Sequence, residues 1–400
     1  MNVLIVTEVF YPENFHVNDF AQAMVSKGHH VKVMTRQPSY PFGYVYPEYK
    51  NESYSVEKWE EIEIHRFDII EGYKESKVKK IWNYYHYVKR GEDVIKNLVK
   101  DVDLINVYHT GPLSLALPAI YAKKKFGVPV IVWSFDIWPD TVYMYGFPRI
   151  FPISTIVNHI IRKVYGNADA IMISSKRFAE TIREYVPHAD ITYAPNWQML
   201  TEEQPTSLSF DKSKANFVFT GNISKAQNLE NTIRGFAKAG INNAVLNIVG
   251  DGSYLPFIRE VVNELGCDSI RFHGRVPYNE ISSVLKACDY LVLPLTPKAG
   301  IDKTEPFKLQ SYLQSRKPIL GIIRGAGREI IDENGLGICC DPENIDDISL
   351  GFQRMLEMTD ADKQNVSSAA ELLMNTRFCK ESIMETIETL VKRVADNHII

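Results

Sequence analysis

Two trains of short apolar runs, each run followed by a helical pattern, constrain this chain more than any other feature. In the first train, residues 3–7 (VLIVT), 30–35 (HVKVMT), 102–107, 128–133 and 170–174 (AIMIS) read as strands. Helical stretches at 18–27, ended by Gly28, and at 113–125 lie between them. The alternation breaks over residues 194–214 (APNWQMLTEEQPTSLSFDKSK), a polar stretch with two prolines. It restarts with strands at 216–220 (NFVFT), 245–249, 270–272, 290–294 and 318–322 and helices at 229–238 and 256–265. Runs that are apolar throughout are covered on both faces, which implies parallel sheets flanked by helices. The 400 residues thus predict an α/β fold of two Rossmann-like, doubly wound parallel-sheet domains. Their bounds are 1–197 and 215–380, with a linker at 198–214. A helix at 381–400, striped by Ile383, Ile387, Leu390, Val391 and Val394, is expected to pack back toward the first domain. Ligands of such sheets sit beyond the carboxyl ends of the strands, so the expected site is a cleft between the domains.

Charge narrows the partners. The chain carries 45 Lys+Arg and 49 Asp+Glu, a net of −4, which gives no global case for nucleic acid. Residues 1–200 hold 23 basic and 22 acidic side chains, whereas residues 201–400 hold 22 and 27. An attraction to an anionic surface is therefore local and belongs to the first half. The five cysteines form no CxxC pair and read as neither a disulfide framework nor a zinc site, which suits a reducing cytoplasm. The N-terminus reads as a strand, not a signal peptide, and no apolar run is long enough for a transmembrane helix.

Candidate chemistry clusters at the predicted strand ends. The loop at 11–18 (YPENFHVN) precedes a helix; it either presents backbone N–H groups to an anion or is a capped loop without a ligand. Asp136 and Asp140, in the loop SFDIWPD, can bond a sugar hydroxyl or accept a proton, or can serve as helix caps. Trp138 beside Pro139 suits stacking on a carbohydrate. In the second half, Gly221 opens a loop with Asn222, Lys225 and Gln227, and Gly250 begins a GDG turn. Glycine permits close backbone approach, and a following helix N-terminus favours negative charge. Residues 304–320 (TEPFKLQSYLQSRKPIL) predict a helix capped by Thr304, with Pro306 in its first turn. Lys308 then lies one turn in, where ammonium and helix dipole act on the same diphosphate, or where Lys308 merely pairs with Glu305 on the surface. Lys298 and Lys303 adjoin it.

Residues 74–90 (KESKVKKIWNYYHYVKR) carry six basic side chains against one Glu, interleaved with Trp82, Tyr84, Tyr85 and Tyr87. Residues 143–165 mix aromatic and apolar residues with Arg149, Arg162 and Lys163. Each is compatible with an amphipathic helix packed on its domain. Their joint occurrence in one half favours contact with an anionic membrane surface.

Taken in order, these motifs resemble the family-4 glycosyltransferases of GT-B architecture, in the bacterial branch that builds O-antigen and capsule and includes fucosamine transferases. The likeness is carried by YPENFHVN at 11–18, the GH-x-V-x-V-x-T strand at 28–35, P-x-YP-x-G at 38–43, the DIWPDT loop at 136–141, PNW at 195–197, the GNI loop at 221–229, GDGS at 250–253 and P-x-K-x-QSYL-x-x-x-KPIL at 306–320. The resemblance implies a retaining, metal-independent hexosyltransferase without a cofactor. Its donor is an NDP-sugar of the UDP-linked kind, and its acceptor a polyprenyl-diphosphate-linked glycan at the inner face of the cell membrane. It implies that Lys308 holds the donor diphosphate, that Gly221, Asn222, Lys225, Gln227 and Gly250 line its phosphate side, and that Arg275 and Val276 lie near the base. Lys303, Glu305, Gln310 and Ser311 join the donor side. Asp136 falls at the junction of sugar and acceptor, with Glu13, Asn14, His16, His109 and Trp138 on the acceptor side. Asn222 and Gln227 stand where many relatives carry Arg and Lys, so Lys308, with Lys225 or Lys303, has more charge to supply. Two other readings remain open: a UDP-sugar epimerase on the same fold, and a non-catalytic nucleotide-sugar-binding scaffold.

Overall fold

A computed structural model describes residues 1–144, 146–199, 203–298 and 300–398. The chain forms two compact units, one of residues 1–196 and 383–400, the other of residues 197–382.

The first unit holds eight strands: β1 (Asn2–Thr7), β2 (His30–Arg36), β3 (Ser55–Trp59), β4 (Ile62–Phe67), β5 (Leu104–His109), β6 (Val130–Ser134), β7 (Ala170–Ile173) and β8 (Ile191–Tyr193). They lie in the order β3-β4-β2-β1-β5-β6-β7-β8. All pairings are parallel except β3 with β4. Every residue of β5 and β6 is buried, as a strand covered on both faces requires. Edge strand β3 instead alternates between half-buried and exposed residues. The strand order reverses between β1 and β5, so a ligand crevice is expected at their carboxyl ends.

The second unit holds β9 (Ala215–Thr220), β10 (Ala244–Val249), β11 (Ile270–Gly274), β12 (Tyr290–Pro294), β13 (Ile319–Ile322) and β14 (Gly337–Cys340), in the order β11-β10-β9-β12-β13-β14. All five pairings are parallel. The reversal falls between β9 and β12. Two apolar layers sandwich the sheet, one centred on Phe217, Phe236 and Phe352, the other on Leu309, Tyr312 and Leu313.

One feature differs from the sequence reading. The described residues of the expected linker, from 203 onward, belong to the second unit rather than bridging freely. Leu208 and Phe210 pack on its core, Gln204 N donates to Asn279 O at 3.0 Å, and Glu203 pairs with Lys286. The last helix, Lys380–Asp396, starts in the second unit and joins the first from Ile383 onward. There, Glu388 lies 2.8 Å from His29 in a buried pair, and Arg393 lies 2.6 Å from Asp190.

Candidate active site

The second unit gathers its polar residues where β9, β10 and β12 end. Gly221 follows β9 with φ +135°, and Gly250 follows β10 with φ +144°, a region closed to most side chains. A Cβ on Gly250 would fall 1.9 Å from the Gly221 carbonyl oxygen, and a Cβ on Gly221 would fall 2.6 Å from Lys308 Cε. Two bare backbones and one lysine thus occupy space that side chains would fill. Gly221 N donates to Val249 O at 2.9 Å, and Gly250 N donates to Gly274 O at 2.7 Å, which ties the loops to the sheet.

Lys308 is the second residue of the helix Phe307–Ser315. Its Nζ lies 4.2 Å from the centre of the Phe219 ring and donates to Gln227 Oε1. Burial drives its pKa down to about 7, so the ammonium sits there short of negative charge. Tyr312 anchors the helix to the sheet. Its OH donates to Val292 O at 3.1 Å and accepts from Thr220 N at 3.3 Å.

The helix entry differs from the expected one. Pro306, not Thr304, occupies the N-cap position, and Thr304 Oγ1 donates to Gly300 O at 2.8 Å. Glu305 therefore lies ahead of the helix. It is buried and pairs with Arg377 at 2.8 Å instead of with Lys308. Gln310 is buried, while Ser311 Oγ donates to Gln198 Oε1 at 2.8 Å. Lys225 Nζ stands 5.6 Å from the Tyr254 ring centre, and its carbonyl accepts from Thr296 Oγ1 at 2.7 Å. Asn222 is exposed, with its Oδ1 against Gly252. Lys303 is half-buried in the loop before the helix. Arg275 is exposed just past β11, and the next residue, Val276, packs on the core. Gly221, Gly250, Gln227 and Lys308 are therefore brought together; Glu305 and Ser311 are engaged elsewhere.

In the first unit the strand ends carry charge instead of glycine. Arg36, Glu8, His109 and Ser134 follow on from Met34, Val6, Val107 and Val132, which share one apolar layer. The registers Val6↔Met34, Val6↔Val107 and His109↔Ser134 place the four polar residues in a row across β2, β1, β5 and β6. Arg36 NH1 lies 2.9 Å from Glu8 Oε1, with the Arg36 side chain 3% exposed. His109 Nδ1 lies 3.4 Å from Ser134 Oγ, which is 3.0 Å from the Tyr165 OH. Burial pushes the His109 imidazole down to about 4, so it is neutral at physiological pH. Asp136 stands two residues past β6. Burial, and then the charge of Glu8, pushes its carboxyl up to about 7.

The other acceptor-side residues separate. Glu13 is buried and accepts from Ser39 N at 2.7 Å and Tyr40 N at 2.6 Å, so it braces two loops. Burial raises its pKa above the ordinary carboxylate value. His16 lies on the opposite face of the sheet from His109, in an aromatic cluster with Tyr108, Trp133 and Phe135. Asn14 is exposed, and Trp138 packs against the apolar core. Sequence reasoning missed Glu8 and Arg36. The available signal was a charged residue directly after each of two adjacent apolar strands. It also missed Arg377, which no local pattern links to Glu305.

Residues 14–197 match the model of Glycosyltransferase Family 4, and residues 201–372 match that of Glycosyl transferases group 1. Together the two models support a glycosyltransferase of GT-B type, and the fold is the GT-B fold. "Probable glycosyltransferase WbjE" of Pseudomonas aeruginosa is 23% identical over 247 residues, 59% of this chain. The match spans 62% of that relative's own length. "Putative colanic acid biosynthesis glycosyl transferase WcaI" of Escherichia coli is 20% identical over 89% of this chain and 92% of its own. Among solved structures, a sucrose-phosphate synthase of Thermosynechococcus elongatus superposes with TM-score 0.74 at 15% identity, covering 98% of both chains. Anabaena HepE in complex with UDP superposes with TM-score 0.65 at 12% identity, covering 99% of this chain and 100% of that one. These structural likenesses concern the fold.

Proposed function

We propose that this glycosyltransferase moves a sugar, with retention of configuration, from a UDP-sugar to a lipid-linked glycan during assembly of a surface polysaccharide such as O-antigen or capsule. The observation that carries the reading is Lys308: an ammonium held at about 7 by burial, at a helix start beside two glycine-lined strand ends. Such a group gains most when a diphosphate arrives. A relative named for colanic acid biosynthesis, and HepE solved with UDP, support the substrate classes. In the proposed reaction the bond from the sugar's anomeric carbon to the diphosphate oxygen breaks. The acceptor oxygen bonds the same face of that carbon, and the acceptor's proton passes to the leaving phosphate. Lys308 and backbone N–H groups stabilise the charge growing on the diphosphate, in place of a metal ion. Asp136 is assigned to sugar hydroxyls at the reacting end, and Lys225 and Lys303 add positive charge to the phosphate side.

The acceptor's lipid gives the exposed face of the first unit a role. The helix Lys77–Leu98 buries Tyr87, Gly91, Val94, Ile95 and Leu98 along one stripe. Val78, Ile81, Trp82 and Tyr85 form the opposite stripe, each more than half exposed. Ile150, Phe151 and Ile156 are also exposed, and Lys77 Nζ lies 3.8 Å from the Cβ position of Gly146. Apolar and aromatic side chains among lysines suit an anionic bilayer surface at the cytoplasmic leaflet. No helix among the described residues is long and apolar enough to cross a membrane.

The test is purified protein with a panel of NDP-sugars, with and without polyprenyl-diphosphate-linked glycans. Acceptor-dependent release of UDP is the expected result. A new UDP-sugar formed without acceptor would establish the epimerase instead, and donor binding without turnover would establish the scaffold.

A further inference from the structure

The polar row of the first unit has an uncommitted group at its centre. Glu8 follows β1, the strand at which the sheet order reverses. Its Oε1 is ion-paired with Arg36, and no hydrogen bond to its Oε2 is found among the described residues. That oxygen faces Gly111, where a Cβ would lie 2.2 Å away, so only a glycine leaves it room. A small recess of about 10 Å³, room for a single hydroxyl, opens there; Glu8, Tyr87, His109 and Gly111 line it, and the apolar Val6, Val107, Leu115 and Ala116 close it. The Glu8 side chain is 15% exposed and Arg36 is nearly sealed, so the carboxylate is fixed from behind and reachable from in front. Two neighbours set its surroundings. Tyr87 spends its hydroxyl on Thr7 O at 2.8 Å and leaves its ring against the recess, while His109 is neutral.

We infer that Glu8, oriented by Arg36, is a specificity residue that binds a hydroxyl of the acceptor sugar through its free Oε2. A carboxylate oxygen that lacks a donor, beside an aromatic ring and a neutral imidazole, fits a neutral polyol. It does not fit a phosphate, which the same carboxylate would repel. A hydroxyl donated to it makes a charge-assisted bond of the stronger kind. A site that holds a hydroxyl this way also rejects the deoxy analogue, because the carboxylate is then left unpaired. The inference rests on the proposed transferase function and names one contact of its acceptor.

The experiment uses the full chain saturated with UDP and a panel of methyl glycosides as probes. Saturation-transfer NMR reads glycoside binding, and calorimetry reads UDP binding separately. At least one glycoside is expected to bind the wild type and to bind Glu8→Gln about tenfold more weakly or not at all, since a lost charge-assisted bond is worth about a factor of ten or more. Its deoxy analogue at the contacted position should show the same loss on the wild type. Glu8→Gln can also destabilise the unit by stranding Arg36, so the double variant Glu8→Gln/Arg36→Met removes both charges while keeping the packing. If the pair is only structural, the double variant recovers glycoside binding along with melting temperature; the inference requires that it does not. Equal glycoside binding in wild type and Glu8→Gln, or no binding by any glycoside, overturns the inference. Loss of UDP binding by the wild type would instead overturn the proposed function.

Discussion

Lys308 is the side chain whose charge should change when the donor binds. Burial holds its pKa at about 7. At pH 8 only about a tenth of the ligand-free protein then carries the ammonium. A diphosphate beside it favours the charged form and drives protonation. Binding of UDP at pH 8 should therefore take up about 0.9 proton, because UDP's terminal phosphate, with a second pKa near 6, is already ionised. Affinity should fall by nearly a factor of ten between pH 8 and pH 9, since each further unit charges the same proton against binding. Calorimetry in two buffers of different ionisation enthalpy measures the uptake directly. Lys308→Arg should bind with no uptake, because a guanidinium stays protonated at both pH values. Stability carries the same signature. The folded pKa lies below the unfolded value of about 10.4, so the unfolded chain binds more protons between about pH 7 and pH 10. This lysine's cost is full below that window, and its share of stability rises with pH through it. Saturating UDP should flatten that slope. UDP that binds wild type at pH 8 with less than about 0.2 proton taken up, or with equal uptake in Lys308→Arg, would refute the assignment of the diphosphate to this lysine.

Asp136 has the opposite sign. Its carboxyl is held at about 7, above the unfolded value of about 3.9, so folded protein binds the extra proton between these values and loses stability as pH rises through them. Asp136→Asn should raise stability at pH 8 by on the order of 1–2 kcal/mol and flatten the pH 4–7 slope, read by urea denaturation, while sugar transfer falls. Arg377→Met removes the ion-pair partner of the buried Glu305 carboxylate and should cost about 3–5 kcal/mol, with most of it recovered in the double variant with Glu305→Gln. Ile81→Glu/Trp82→Glu places two anions on the exposed stripe of the helix Lys77–Leu98. Pelleting with anionic vesicles should drop about tenfold or more with the melting temperature unchanged; undiminished pelleting would remove the membrane role of this face.

What the sequence made legible follows from how each element is stabilised. Wholly buried strands announce themselves as apolar runs, and β12 matches its expected bounds residue for residue. The hairpin of β3 and β4 did not, because its two-residue turn places Glu60 at φ +54° without a glycine to mark it. The short strands β8 and β14 are only half-buried over most of their length and show no apolar run. The placement of Lys308 at a helix start and of Gly221 and Gly250 at strand ends was readable, because local backbone geometry sets it. Thr304 was misread as a cap because Pro306 already supplies extended backbone at the N-cap position. The partners of Glu305, Glu13 and Glu8 come from 72, 26 and 28 residues away, separations that no periodicity records.

Under the proposed function, the two sheets would meet two different ligands in opposite ways. A diphosphate is large, charged and uniform, and it is best met by backbone N–H groups that nothing obstructs. The second unit accordingly leaves the ends of β9 and β10 bare at Gly221 and Gly250 and adds a single ammonium. A sugar hydroxyl is small and neutral, and its position carries the specificity. It is best met by a side-chain oxygen that a partner behind it holds in place. The first unit supplies that arrangement in the row Arg36, Glu8, His109 and Ser134. Exchanging the devices would fail both tasks: a carboxylate among the glycines would repel the diphosphate, and a glycine at position 8 would leave Arg36 buried without its partner and the recess without an acceptor.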